Sequence, residues 1–163
     1  MSEGRIVIAY DGSENARHAI AVAAAEIGTG PATVVHAWEP LSSASSRLAV
    51  YAMIAGGPEQ ERAWERDPLA WERDQAQAKA EEGAALAREL GFDANAVAIE
   101  GESPAVRTLV EYIDEQRPRL VVMGTRGLTG LSGFAAGSVS HGVAAHVHVP
   151  VFIVPPEEQT PAT

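Results

Sequence analysis

The sequence contains no cysteine, and this absence removes several chemistries at once. Disulfide bonds, thiolate nucleophiles and cysteine-ligated zinc or iron–sulfur centres all depend on that side chain. Long apolar runs are also missing, since none approaches the roughly 18 residues that a membrane span needs. The start of the chain lacks the basic segment and apolar run of a secretory signal. We therefore expect a cytoplasmic protein that does not contact membranes.

Positive charge is scarce. Lys and Arg together number 12 against 22 Asp and Glu residues, and the formal net charge is −10. A protein with this net negative charge repels nucleic-acid phosphates, so we expect no nucleic-acid partner. Lys79 is the one lysine and lies in an alanine-rich stretch with no glycine loop before it. A P-loop kinase or ATPase needs a lysine directly after its glycine loop, and the sequence excludes that class.

What is present is the composition of one ordinary globular domain, with 163 residues, 46% of them hydrophobic. Short apolar runs that predict strands alternate with segments of helical periodicity. This alternation predicts an α/β fold, a doubly wound five-stranded parallel sheet with helices on both faces. Ligands of such sheets bind beyond the carboxyl ends of the strands, where the strand order reverses. The predicted strands are 5–10, 33–38, 94–100, 120–123 and 149–154, and the helices begin at Ser13, Asp67-Pro68, Ser103-Pro104 and Ser138.

We expect one domain over residues 1–156 and a flexible, proline-rich tail at 157–163. The segment 39–67 between the second strand and the second helix is predicted to be an irregular insert, longer than most connections. Trp64 and Trp71 are seven residues apart, a spacing that predicts a shared helix face. They either pack the insert onto the domain, which we favour, or form a lid over a bound ligand or a partner surface.

The strongest local signal follows the fourth strand, where six of the 15 glycines fall between Gly124 and Gly142. Glycine lets backbone N–H groups approach a ligand closely, and a helix that begins at Ser138 adds unpaired N–H groups and partial positive charge. Together they predict an anion site. The hydroxyls of Ser138 and Ser140 are further donors, and Arg126 is placed to pair with an outer phosphate. A flexible glycine loop with an ordinary serine cap is the alternative.

The spacing Gly124-x2-Gly127-x9-Gly137-Ser138 resembles the nucleotide-binding signature of the ATP-binding universal stress proteins. The resemblance covers essentially the whole chain. It implies a Rossmann-like sheet of order 3-2-1-4-5, with ATP bound across the switch between strands one and four. It also implies a homodimer that pairs partly through the last strand, Val149–Val154. Other segments similar to the family are IVIAYDGSENA, VVHAWEP, GESPAVRTLVEYI, LVVMGTRGLTGLSGFAAGSVS and AHVHVPVFIVP.

The resemblance implies a role for each matching position. Asp11 lies near the adenine and ribose, although a turn before a helix also uses aspartate. Residues on the base side are Ala9, Ala37 and Met123, which are equally suited to the core. The backbone donors to the phosphates are Gly124, Gly127, Gly137, Ser138 and Val139, with the Ser140 hydroxyl nearby.

These features predict an ATP-binding protein that acts as a nucleotide-dependent switch in stress response or signalling. The alternatives are a weak ATPase or phosphotransferase, with Mg²⁺ or Mn²⁺ on the phosphates, and a dimeric interaction module that needs no nucleotide. Asp11 is the only candidate carboxylate near the site, so we assign no catalytic residue and expect at most slow turnover. His36 is expected to be hydrogen-bonded structure. His141 and His146 are five residues apart and do not share a helix face, so no metal site is predicted.

Overall fold

The computed structural model describes residues 4–41, 57–101, 105–125 and 137–157. They contain a five-stranded sheet of order β3-β2-β1-β4-β5, in which every neighbouring pair is parallel. The predicted doubly wound sheet and its strand order are confirmed. The strands are β1 (Ile6–Ala9), β2 (Pro31–Trp38), β3 (Asp93–Glu100), β4 (Leu120–Gly124) and β5 (Val151–Val154).

Helices connect the strands, and their ends follow the local signals of the sequence. The hydroxyl of Ser13 accepts the Ala16 N–H at 3.1 Å and caps the first helix. Asp67 caps the long helix in the same way, because its carboxylate accepts the Ala70 N–H at 3.0 Å. Gly91, at φ +99°, follows the last turn of that helix and ends it. The helices are α1 (Glu14–Glu26), α2 (Pro58–Arg66), α3 (Pro68–Glu89), α4 (Ala105–Gln116) and α5 (Ser138–His146).

The insert is not irregular throughout, because its last part is the helix α2. Pro58 stands at the start of α2, and two glutamates in its first turn complement the helix dipole. Asp67 is extended, with φ −152° and ψ 92°, and separates α2 from α3. Trp64 and Trp71 therefore lie on different helices, and the prediction of a shared helix face is wrong. Residues 42–56 of the insert lie outside the described residues.

Both faces of the sheet are buried. Alternate residues of a strand point to opposite faces, so Ile6 and Ile8 pack with α1 and α3 while Val7 packs with α4 and α5. Residues 6, 7 and 8 are each at most 2% exposed, as expected of a central parallel strand covered by helices on both sides.

The strand order reverses between β1 and β4, and this reversal positions the site. The chain leaves β1 towards β2 and leaves β4 towards β5, on the opposite side. The two connections diverge and open a crevice at the carboxyl ends of the strands. β5 is two residues shorter than predicted, because Pro150 has no N–H for the ladder. Its carbonyl still accepts the Val121 N–H at 2.9 Å.

In the described ranges, no helix is both long and apolar enough to cross a bilayer.

Candidate functional site

A cavity of about 340 Å³ opens at the carboxyl ends of β1, β2 and β4, between the first turns of α4 and α5. This volume lies within the usual range of small-molecule sites. Nine of the predicted site residues are in the described part of the chain, and all nine line the cavity. They are Ala9, Asp11, Ala37, Met123, Gly124, Gly137, Ser138, Val139 and Ser140. The other two, Arg126 and Gly127, lie outside the described residues.

One side of the cavity is an apolar slot. Ala9, Ala37 and Met123 supply it from three neighbouring strands, and Leu109 of α4 closes it. The methyl groups of the two alanines leave room that larger side chains would fill. A slot of this kind suits a flat, weakly polar ring.

Helix α4 approaches the sheet closely because Gly101, directly after β3, has no side chain. A Cβ at that position would overlap the side chain of Thr108. Gly101 also donates its N–H to the carbonyl of Trp38 at 3.1 Å. The contact brings Ala105 and Leu109 of α4 against the cavity. Sequence reasoning missed these two lining residues, because an apolar helix face gives no sign of which strand ends it covers.

Asp11 forms the turn between β1 and α1 and also lines the cavity. Its Oδ1 accepts the Ser13 N–H at 2.9 Å, and Gly12 follows at φ +82°. The two predicted roles of Asp11, turn former and ligand neighbour, are therefore geometrically compatible. Among the described residues that line the cavity, Asp11 is the one carboxylate.

Lys79 reaches this turn from α3. A Cβ on Gly12 would lie 2.8 Å from Lys79 Cδ and 2.9 Å from its Nζ. The ammonium group also lies 3.9 Å from Glu82 Oε2. The one lysine of the chain is thus close to the mouth of the cavity, a position that its helical sequence context did not indicate.

The polar end of the cavity is the amino terminus of α5. Gly137 occupies the N-cap position, at φ −48° and ψ 133°, and makes no side-chain capping bond. Ser138 is the first helical residue rather than the cap, so the serine-cap alternative is wrong. Helix geometry leaves the N–H groups of Ser138, Val139 and Ser140 without acceptors inside the helix. All three residues line the cavity.

The Ser140 hydroxyl is engaged within the helix, since it donates to the carbonyl of Gly137 at 3.0 Å. Its lone pairs remain as acceptors, and the residue is only 2% exposed. Gly142, the last glycine of the run, serves helix packing, because a Cβ there would lie 2.8 Å from Val106 Cγ1 of α4.

Thr125 and Gly137 flank residues 126–136, which lie outside the described residues, and we call this pair the loop neck. The Gly137 N–H donates to the carbonyl of Thr125, and the Thr125 N–H donates to the carbonyl of Val154 at 3.0 Å. Asn15 of α1 also donates to that carbonyl, with Nδ2 at 3.3 Å. Sequence reasoning missed Asn15, which stands in the first turn of α1.

His36 is hydrogen-bonded structure, as predicted, since its Nδ1 lies 2.9 Å from the carbonyl of Tyr10. A carbonyl only accepts, so the ring carries a proton on Nδ1. Burial lowers the pKa of His36, the bond to Tyr10 opposes this, and nearby Lys79 lowers it further. The ring is therefore neutral at pH 7.

In the four described segments, no group of three His, Cys, Asp or Glu side chains is arranged to hold a metal ion. An anion in this cavity would meet the amides of α5 in a protein whose formal charge is −10. Local dipoles, rather than the overall field, would have to favour it.

Known proteins match the chain along its length. The model of the universal stress protein family matches residues 4–155. A universal stress protein of Thermus aquaticus, from the QAH/OAS sulfhydrylase 3' region, is 36% identical over 151 residues, which cover 91% of this chain and 96% of that protein.

Solved structures share the fold. The structure of MJ0577 aligns with a TM-score of 0.67 at 18% identity, covering 98% of this chain and 100% of that one. A universal stress protein in complex with cAMP aligns with a TM-score of 0.59 at 24% identity, and the alignment covers 96% of this chain and 100% of that one. With the family match and the Thermus relative, these likenesses lead to one assignment: the chain belongs to the universal stress protein family.

Proposed function

We propose that this protein binds an adenine nucleotide, with ATP as the principal ligand, and that binding acts as a switch in stress response or signalling. The observation that carries the proposal is the form of the cavity, an apolar slot that leads directly to the amino terminus of α5. A nucleotide is arranged in the same way, with a flat, weakly polar base at one end and anionic phosphates at the other.

The nucleotide would lie along the ends of the strands. The base occupies the slot of Ala9, Ala37 and Met123, and Asp11 is within reach of the ribose hydroxyls. The phosphates meet the amides of α5 at Ser138 and Val139, where helix dipole and free N–H groups favour an anion. The family resemblance adds Gly124 and Gly127 to the phosphate end, and Arg126, which follows β4 in the sequence, would pair with an outer phosphate.

Bound nucleotides in proteins of the same fold support the proposal. Besides the universal stress protein solved with cAMP, a family protein of Arabidopsis thaliana was solved with AMP. The universal stress protein of Archaeoglobus fulgidus was solved in complex with dAMP. All three ligands share the adenine base and a phosphate.

We propose that ATP is held rather than cleaved, with Mg²⁺ or Mn²⁺ on the phosphates. Efficient phosphoryl transfer needs a positioned base or water-orienting group and added positive charge at the phosphates. The one carboxylate among the described lining residues, Asp11, already accepts the Ser13 N–H. The His36 Nδ1 proton is directed at the Tyr10 carbonyl.

Titration calorimetry with ATP, ADP, AMP, adenosine and GTP tests the proposal. We expect ATP to bind more tightly than adenosine, since the α5 amides act on the phosphates alone. Gly137→Val should abolish ATP binding by filling the space before these amides. Valine tolerates the backbone at φ −48°, so the fold should be retained. The matched control is Gly30→Val, whose new Cβ meets nothing within 4 Å.

Absence of binding at millimolar ATP would refute the nucleotide proposal. Unchanged ATP binding by Gly137→Val would show that the phosphates lie elsewhere. Steady hydrolysis well above the background of contaminating ATPases would favour the enzymatic alternative. Mass spectrometry of the ligand that copurifies with the native protein would identify the physiological nucleotide.

We further propose a homodimer that pairs through β5. β5 has one neighbour, β4, in the sheet of the described residues, and an apolar edge strand without a partner invites aggregation. The end of β5 is also tied to the loop neck, because the Val154 carbonyl accepts the Thr125 N–H. This bond provides a direct physical connection between an occupied nucleotide site and the pairing strand.

A further inference from the structure

Asn15 is an amide buried where three elements meet. It stands in the first turn of α1 and is 8% exposed. Its Nδ2 donates to the Val154 carbonyl at 3.3 Å, at the end of β5. Its Oδ1 lies 3.5 Å from the hydroxyl of Thr125, the first residue after β4. A buried amide with partners on two other elements constrains how those elements sit relative to one another.

The backbone of Gly124 is shaped to receive this amide. A Cβ at Gly124 would lie 2.7 Å from Asn15 Oδ1 and 2.8 Å from its Cγ. Such distances are shorter than real Cβ contacts, so any larger residue at 124 would displace the asparagine. In this chain Gly124 is therefore required by Asn15, in addition to any need for a ligand to approach the loop.

The contacts of Asn15 continue to the amino terminus of α5. Thr125 shares the Val154 carbonyl with Asn15, and its own carbonyl accepts the Gly137 N–H. Asn15 thus fixes one half of the loop neck, and the loop neck sets where the N-cap of α5 stands. Asn15 itself is not among the residues that line the cavity.

We infer that Asn15 is a positioning residue for the phosphate end of the nucleotide site. This inference rests on the proposed function. Asn15 acts through Thr125 and Gly137 on the placement of the α5 amides, and it does not act on the slot for the base. Its loss should therefore reduce the part of the affinity that comes from phosphates and leave the part that comes from the adenosine.

The test compares the dissociation constants of ATP and adenosine by calorimetry for the wild type, Asn15→Ala and Asn15→Leu. Leucine keeps the branching and the number of side-chain heavy atoms of asparagine and removes both polar contacts. We expect the affinity for ATP to fall about tenfold or more in both variants, because charge-assisted bonds depend steeply on geometry. The affinity for adenosine should change less than about threefold, because hydrophobic contact is non-directional.

Thr33→Val is the matched control for a general loss of stability. Thr33 is 4% exposed, and its hydroxyl donates to Asn95 Oδ1 at 3.0 Å near the amino end of β2. This variant also loses a buried polar contact, but at the end of the sheet away from the cavity. It should keep the wild-type ratio of ATP to adenosine affinity.

A spectroscopic measurement on the wild type avoids any dependence on variants that fail to fold. In ¹⁵N-labelled protein, the side-chain amide of Asn15 and the backbone amide of Thr125 should shift on addition of ATP and stay in place with adenosine. A wild type that binds no ATP refutes the proposed function. A wild type that binds both ligands, with an unchanged affinity ratio in the Asn15 variants or no ATP-dependent shift, refutes the role of Asn15 alone.

Discussion

The ring of Tyr10 lies directly on the backbone of Gly83, where α3 crosses the end of β1. A Cβ on Gly83 would stand 2.7 Å from Cγ and Cδ1 of the ring. The hydroxyl continues past the glycine and donates to Glu82 Oε1 at 2.7 Å. Burial and this hydrogen bond raise the pKa of Tyr10 to about 12, so the hydroxyl remains a donor. A glycine within a long helix thus permits close packing beside the first strand.

Gly83→Ala should destabilise the protein, although alanine favours helices by about 1 kcal/mol over glycine. The added methyl group would overlap the Tyr10 ring and lie 2.9 Å from Val34 Cγ1, and overpacking of this kind costs about 1–3 kcal/mol. Urea denaturation measures the change in free energy of unfolding. Ala85→Gly, at an exposed position of the same helix, calibrates helix propensity alone. A gain in stability for Gly83→Ala would contradict the close contact.

Arg117→Gly should stabilise the protein by about 1 kcal/mol. Arg117 follows α4 at φ +45° and is the one non-glycine residue of the described ranges with positive φ. The left-handed conformation costs an L-residue about 1–2 kcal/mol, which glycine avoids, and added freedom of the unfolded chain offsets part of the gain. The Arg117 N–H donates to the Ile113 carbonyl at 2.9 Å, and glycine keeps that bond. Arg117→Ala removes the charge but keeps the Cβ, so an equal gain for alanine in urea denaturation would exclude backbone strain as the cause.

The sheet was predictable because its signals are local. Ser13 and Asp67 mark the starts of two helices, because residues of these types cap a helix with their own side chains. Apolar runs identify strands that are buried on both faces. Helix α2 was missed because, apart from Pro58, its only apolar residues are Ala63 and Trp64, which are adjacent and do not recur at helical spacing.

The sequence predicted the residues that line the site better than the residues that hold them in position. Glycine and serine spacing identified the amino terminus of α5 and the end of β4. Asn15 was missed because its partner Val154 is 139 residues away in sequence. No periodicity or motif around Asn15 reports such a contact, which exists only once β5 is placed beside β4.

Acidification should weaken the fold through His36. Burial lowers the pKa of His36 in the folded state, and Lys79 and Asp11 are the charged groups that act on the ring, in opposite directions. The unfolded chain, with a histidine pKa of about 6.5, then binds the proton more readily than the folded protein. Stability is therefore highest above about pH 6.5, falls as the pH drops towards the folded pKa, and then levels. Each tenfold difference in proton affinity between the two states contributes about 1.4 kcal/mol to the loss.

Chemical denaturation between pH 7.5 and 5 measures this dependence. His36→Asn places an amide near the position of Nδ1, retains a donor for the Tyr10 carbonyl and does not titrate. We expect the loss of stability on acidification to be smaller in the variant. The pKa of Glu82 is lowered by its hydrogen bonds to Tyr10 and Arg17, but that stability is lost below about pH 4.5 and in both proteins alike. Parallel curves for the two proteins would exclude His36 as the source.

Ile153→Lys should dissociate the proposed homodimer and leave the monomer folded. The carbonyls of Pro150 and Val154 accept hydrogen bonds from the β4 side, so the backbone groups of the alternate residues Val151 and Ile153 point to the outer edge. The Ile153 side chain is 37% exposed. A lysine there puts a charge on the edge, a device by which native edge strands avoid pairing.

Sedimentation equilibrium measures the effect, and we expect the dimer dissociation constant to rise at least about tenfold, or about 1.4 kcal/mol. Leu69→Lys is the matched control, because Leu69 is equally exposed at 37% but lies at the start of α3, away from the edge. It should dimerise as the wild type does. A monomeric wild type would refute the dimer itself. An Ile153→Lys dimer of unchanged affinity would place the contact on a surface other than β5, and the bond from Thr125 to Val154 would then no longer connect the nucleotide site to the partner.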